Sequence, residues 1–124
     1  GVEPAGSVIF GGEGAPYHQS GTGTPAGAEI GVLIDYPLID QGLKVSDAEA
    51  FETARYLARS HALMVGGSAG GVIYKALQHA RTAPTDSWML TLPGARAVTE
   101  RLTQAATDTF GCRFRASAHM SGVA

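Results

Sequence analysis

Between Ser46 and Ala80 the chain reads SDAEAFETARYLARSHALMVGGSAGGVIYKALQHA, an order of helix, short apolar run, glycine-rich turn and second helix that few folds accommodate. Ser46 and Glu49 stand at the spacing of a capping box, in which the serine hydroxyl takes the N–H three residues on and the glutamate reaches back to the serine N–H. Phe51, Ala54 and Ala58 recur on one helical face, so the spacing predicts a helix over Asp47–Ser60. Ala62-Leu63-Met64-Val65 has the length and apolarity of a buried strand. Gly66–Gly71 then turns the chain into a second apolar-periodic helix, expected to begin after Gly71. At that turn unpaired backbone N–H groups and the positive end of a helix dipole gather around one hydroxyl, that of Ser68. This is the geometry of a corner that holds a small polar ligand.

Composition narrows the classes of function. A chain of 124 residues, 44% of them apolar, can bury one core of ordinary size. Nine basic against eleven acidic residues give a net charge of -2, with no basic run, so neither nucleic acid nor a membrane is an expected partner. Cys112 is the single cysteine, which excludes an internal disulfide framework and a multi-cysteine zinc site. It suits a reducing, cytoplasmic location. No apolar run approaches the roughly 20 residues that span a bilayer, and the first residues lack the charged and apolar regions of a signal peptide. No pair among the four histidines has metal-ligand spacing beside carboxylates or cysteines, so no metal site is expected. His61 and His79 sit near helix ends, where a cation suits the dipole, and His18 falls in a loop that could face a substrate.

Glycine is the compositional outlier, and its 17 positions cluster in Gly1–Gly31 and in GGSAGG, which marks loops of close approach. Ser7–Phe10 is a short apolar segment of ambiguous type, and residues 11–27 read as a loop broken by Pro16 and Pro25. A loop of that length in a compact domain is functional or disordered, and GGEGAPYHQSGTGT has the glycines and hydroxyls of a ligand-lining loop. A helical turn or strand is expected over Ile30–Tyr36, and strands over Leu43–Val45 and, after a turn at Thr82–Asp86, over Trp88–Leu92. Val98, Leu102 and Ala105 or Ala106 mark a further helix. Trp88 reads as core, and Lys44 and Lys75 as solvated surface. Alternating strands and helices argue for an α/β fold with an open, mostly parallel sheet and flanking helices. Residues 1–124 form a single portion of a domain in this reading, with 112–124 a frayed tail.

The segments GVEPAGSVIFGG, SGTGT, LIDQGLKVSDAEAFETARYLARSHALMVGGSAGG and the strand before Leu92-Pro93 resemble, in order and spacing, the carboxyl-terminal part of the large domain of fold-type II pyridoxal-phosphate enzymes, above all cysteine synthase and cystathionine β-synthase. The resemblance covers about Gly1 to Pro93, and GGSAG between a strand and a helix is its most specific element. It implies pyridoxal 5'-phosphate as cofactor, with Ser68 hydrogen-bonded to the pyridine nitrogen, and a substrate-face loop at Gly21-Thr22-Gly23. A hydroxyl at that nitrogen makes the ring a weaker electron sink than a carboxylate would, which suits β-elimination and β-replacement on a serine-derived amino acid.

The same resemblance implies what lies elsewhere. The family's Schiff-base lysine, its asparagine loop for the substrate carboxylate and its phosphate loop precede the matched portion, and neither Lys44 nor Lys75 sits in the family's lysine motif. Gly1-Val2-Glu3-Pro4 corresponds to the end of an interior strand. The expectation is therefore a fragment or one half of a split enzyme, not competent alone, oligomeric, and completed by an amino-terminal half on another chain or missing. Two other readings stand beside it. One is a non-catalytic paralogue or subunit that keeps the fold. The other is a serine hydrolase fragment, since Gly66–Gly70 also fits G-x-S-x-G, with Asp86 or Asp108 and His119 following in order.

Overall fold

The computed structural model describes residues 1–31 and 34–84. Two short strands, β1 (Val2–Pro4) and β2 (Leu43–Val45), lie parallel with Val2 opposite Leu43, Glu3 opposite Lys44 and Pro4 opposite Val45. The ladder continues past Pro4, where Ala5 N–H donates to the Val45 carbonyl at 2.8 Å. A parallel pair needs a long crossover, and here the crossover is the glycine-rich loop followed by one 3-10 turn at Tyr36–Leu38. A helical turn or strand is expected over Ile30–Tyr36; of that span the described residues Ile30, Gly31, Ile34 and Asp35 form no regular element, and the 3-10 turn begins only at Tyr36. Two helices follow, α1 (Asp47–His61) and α2 (Gly67–Ala80).

The α1 helix forms where its capping box predicts. The Ser46 hydroxyl accepts from Glu49 N–H at 3.2 Å, and the Glu49 carboxylate accepts from Ser46 N–H at 2.8 Å. The Ser46 N–H above all, with the Ser46 hydroxyl that donates to the same carboxylate at 2.8 Å, holds the Glu49 carboxyl below its ordinary range. Ala50 and Leu57 are buried on the face that Ala54 shares, and Val45, Leu63 and Ile73 are buried with them among the described residues of the first 75. The helix stops at Ala62, which takes left-handed φ/ψ of 54° and 34° while Leu63 N–H turns back to the Leu57 carbonyl at 3.1 Å. Ala62–Val65, expected as a strand, is therefore a helix cap followed by a non-strand connection. Among the described residues it has no ladder partner; Leu63 is buried and Met64 is 84% exposed.

A polar knot ties β1 to the loop. The Glu3 side chain is 1% exposed, and its carboxylate accepts from the N–H groups of Ile9 and Phe10, both at 3.0 Å, and from Lys44 Nζ at 2.6 Å. Burial alone would raise this carboxyl's pKa, but the Lys44 ammonium, the Ser7 hydroxyl and the Phe10 N–H together outweigh it and hold the group below its ordinary value. Ser7 is itself buried, and its hydroxyl oxygen accepts from Thr24 N–H at 2.8 Å. Lys44 is thus the counter-ion of a buried carboxylate and not a solvated surface group. Lys75 departs from its expected role too, since its side chain is 17% exposed, 4.0 Å from the Glu49 carboxylate and 5.3 Å from the Tyr74 ring centroid.

The chain divides into two compact units, Gly1–Lys75 and residues 76–124. Of the second, residues 76–84 complete α2 and close a turn in which Thr82 and Ala83 N–H donate to the His79 carbonyl. The strand expected at Trp88–Leu92, the helix around Val98 and Leu102, Cys112, His119 and the tail 112–124 lie outside the described residues. Among those described, no helix is long and apolar enough to cross a membrane, and no group of three His, Cys, Asp or Glu residues could hold a metal ion.

Candidate functional site

The α2 helix begins one residue before Ser68, earlier than the sequence pattern places it. Gly70 N–H donates to the Gly66 carbonyl at 3.0 Å, which makes Gly67 the first and Ser68 the second residue of the helix. The N–H groups of Gly67, Ser68 and Ala69 precede the first helical bond and have no carbonyl inside the helix to receive them. They belong to the first turn, at the positive end of the helix dipole, where Ser68 is half-buried. Three of the motif's four glycines are positions of close approach, as its composition suggests. A methyl group at Gly67 would collide with the Phe51 ring, and one at Gly70 with the Ala50 carbonyl, and at Gly71 it would come within 2.8 Å of Gln19 Oε1 and 2.9 Å of Val45. Close approach at these three positions is to the protein itself, chiefly to α1, and it seats the Ser68 turn against that helix.

The second part of the site is the loop between the strands. It lines an open cavity of about 690 Å³, walled by Tyr17, His18, Ser20, Gly21, Thr22 and Gly23 among others. Gly21 and Gly23 have φ of 81° and 79°, a region that side-chain-bearing residues seldom adopt. They differ in what they face. A side chain at Gly23 would strike Pro4 and Ser7 at 2.8 and 2.9 Å, whereas at Gly21 it would meet nothing within 4 Å. The backbone at Gly21 is therefore open to a ligand, and that at Gly23 is packed onto the strand.

Ser68 is not among the residues lining that cavity, but one side chain reaches both parts. Gln19 is 2% exposed, and its Nε2 donates to the Val45 carbonyl at 3.3 Å and to Asp47 Oδ1 at 3.1 Å. Its Oε1 lies over Gly71, three residues beyond Ser68. The other Asp47 oxygen, Oδ2, accepts from His18 N–H at 2.7 Å. Sequence reasoning missed Gln19 and Asp47. The only available signal was the position of Asp47 directly after the cap residue, and nothing in YHQSGTGT distinguishes a buried glutamine from an exposed one.

The donor set at Ser68 suits the ring nitrogen of a pyridoxal cofactor, because a partly exposed hydroxyl can donate to it and the neighbouring N–H groups keep the locality positive. Neither described lysine fits the covalent role: Lys44 is committed to Glu3, and Lys75 lies on α2 beside Glu49 and Tyr74.

No family model matches the chain. A Sinorhizobium fredii protein named "Putative cysteine synthase" is 65% identical over 77 residues, 62% of this chain and 23% of that protein. A cysteine synthase of Helicobacter pylori strain J99 is 36% identical over 92 residues, 74% of this chain and 29% of the relative. The crystal structure of an O-acetylserine-dependent cystathionine β-synthase from Helicobacter pylori superposes with a TM-score of 0.53 at 37% identity, covering 67% of this chain and 26% of that one. The chain thus spans about a quarter of the length of the proteins it matches. Over the matched stretch it is homologous to a part of the cysteine synthases and cystathionine β-synthases, fold-type II pyridoxal-phosphate enzymes, and carries the α/β architecture of that part.

Proposed function

We propose that this chain forms one wall of a pyridoxal-phosphate enzyme that replaces or eliminates the β-substituent of a serine-derived amino acid. The observation that supports the reading is Ser68, a hydroxyl-bearing residue in the first turn of α2, where the N–H groups have no carbonyl inside the helix to receive them, in a stretch similar to cysteine synthases. When bound, the cofactor supplies an electron sink for breaking the Cα–H bond and expelling the β-substituent. In this reading the Ser68 hydroxyl donates to the ring nitrogen and leaves it without a full charge partner, and the open backbone at Gly21, with Thr22 and Gly23, receives the amino acid. The lysine, the carboxylate-binding loop and the phosphate loop come from the remaining three-quarters of the enzyme, in the same polypeptide or on a partner, and the assembly is oligomeric. Residence in a reducing cytoplasm belongs to the same reading, supported by the single cysteine.

The test uses the full-length enzyme that carries this segment, reconstituted with pyridoxal phosphate and supplied with O-acetyl-L-serine. Ser68→Ala keeps the cofactor but moves its visible absorption band and slows loss of the β-substituent by several-fold to tenfold, the worth of one hydrogen bond of about 1 kcal/mol. Ser68→Asp shifts the band in the direction of a protonated ring nitrogen, because an adjacent carboxylate raises that nitrogen's proton affinity. Unchanged spectra and rates in both variants would remove Ser68 from the cofactor.

A further inference from the structure

We infer that Gln19 and Asp47 are positioning residues that hold the substrate-face loop in its binding conformation and couple it to the Ser68 turn. The inference deepens the proposed function and rests on that reading for the identity of the ligand, but the coupling itself stands on geometry. Gln19 and His18 directly precede Ser20-Gly21-Thr22-Gly23, so whatever fixes these two residues fixes where the loop enters the cavity. Asp47 holds both: one oxygen takes the His18 N–H at 2.7 Å and the other takes Gln19 Nε2 at 3.1 Å. Asp47 is itself immobilised as the first residue of α1, behind a complete capping box.

The opposite end of the glutamine amide makes the link to the cofactor turn. With Nε2 committed to Val45 and Asp47, Oε1 lies beside α2, 2.8 Å from where a side chain at Gly71 would begin, so the absence of one there leaves it room. Gln19 is 2% exposed, so water competes little for these contacts. A shift of the loop at Gly21 must then either break a buried hydrogen bond or press on α2 one turn beyond Ser68. Binding of an amino acid at the loop is thereby sensed at the ring-nitrogen contact through one side chain, and a cofactor seated at Ser68 favours the loop position that receives substrate.

The experiment measures two things on the full-length enzyme for Asp47→Asn, Gln19→Leu and wild type. Hydrogen exchange reads the geometry without any ligand. The amides of residues 20–24 exchange at least tenfold faster in both variants, those of Ala69–Gly71 accelerate in Gln19→Leu, and those in the middle of α1 stay as in wild type. Titration with O-acetyl-L-serine, followed by cofactor absorbance, reads the function. The apparent Kd rises at least tenfold while pyridoxal-phosphate affinity stays within twofold of wild type. Unchanged exchange at 20–24, or equal acceleration throughout α1 as a merely structural lesion would give, overturns the inference. A loss of cofactor and amino-acid affinity in equal measure does so too. A wild-type enzyme that binds no pyridoxal phosphate would sink the proposed function instead, and the exchange pattern would still decide whether the loop and the turn are coupled.

Discussion

Glu3 shows how a residue that carries no part of the chemistry can decide whether the site exists. Its buried carboxylate fastens the turn at Ile9 and Phe10 to β1, and Ser7, which helps to satisfy it, holds the loop at Thr24. Because the folded-state pKa is depressed, the stabilisation is fully present above the ordinary value of 4.5 and is lost as pH falls through the lower, folded value. Glu3→Gln should therefore flatten the acid limb of a stability–pH profile below about pH 4.5, and Lys44→Met, which strands a buried charge, should cost roughly 3 kcal/mol at neutral pH. Denaturant melts from pH 3 to pH 7 check both. A Glu3→Gln protein as acid-sensitive as wild type would show that the carboxylate titrates without consequence. This pairing was out of reach of composition, which places a lone lysine at a strand end in solvent. It became visible only with the register that sets Glu3 opposite Lys44.

The helices show which sequence signals survive folding. The start of α1 is legible in the sequence because a capping box is satisfied by residues three apart and needs no tertiary partner. Ala62–Val65 is not, because an apolar tetrapeptide becomes a strand only when a neighbouring strand takes its N–H and C=O groups, and pattern alone cannot supply one. Three of the four glycines of GGSAGG, Gly67, Gly70 and Gly71, are sites of close approach, as their clustering suggests, and what they admit is α1, Gln19 and Val45. Gly70→Ala is then a packing mutation. Its methyl group would meet the Ala50 carbonyl and Ala54, and overpacking of that kind costs about 1–3 kcal/mol. Thermal unfolding of the full-length enzyme should show the loss. A variant of wild-type stability would mean that the two helices can part at this point without penalty.

Taken as a whole, the described part of the chain carries a cavity-lining loop and a glycine-rich helix start on one parallel strand pair and two helices. The order of these elements could be read from the sequence because capping and glycine signals are local, while the assignment of Ser68 and Gly21-Thr22-Gly23 to cofactor and substrate comes from the family resemblance and belongs to the proposal. The side chains that join the loop to the helix start could not be read so, because Gln19, Asp47 and Gly71 meet only through the fold. The central claim is that Ser68 faces the pyridine nitrogen, and a crystal structure of the full-length enzyme with pyridoxal phosphate bound tests it most directly. The account predicts Ser68 Oγ at about 2.8 Å from the ring nitrogen, within the range of an ordinary hydrogen bond, with the Gly67–Ala69 amides beside it. A ring nitrogen contacted by a carboxylate or by water, with Ser68 turned away from the cofactor, would contradict it.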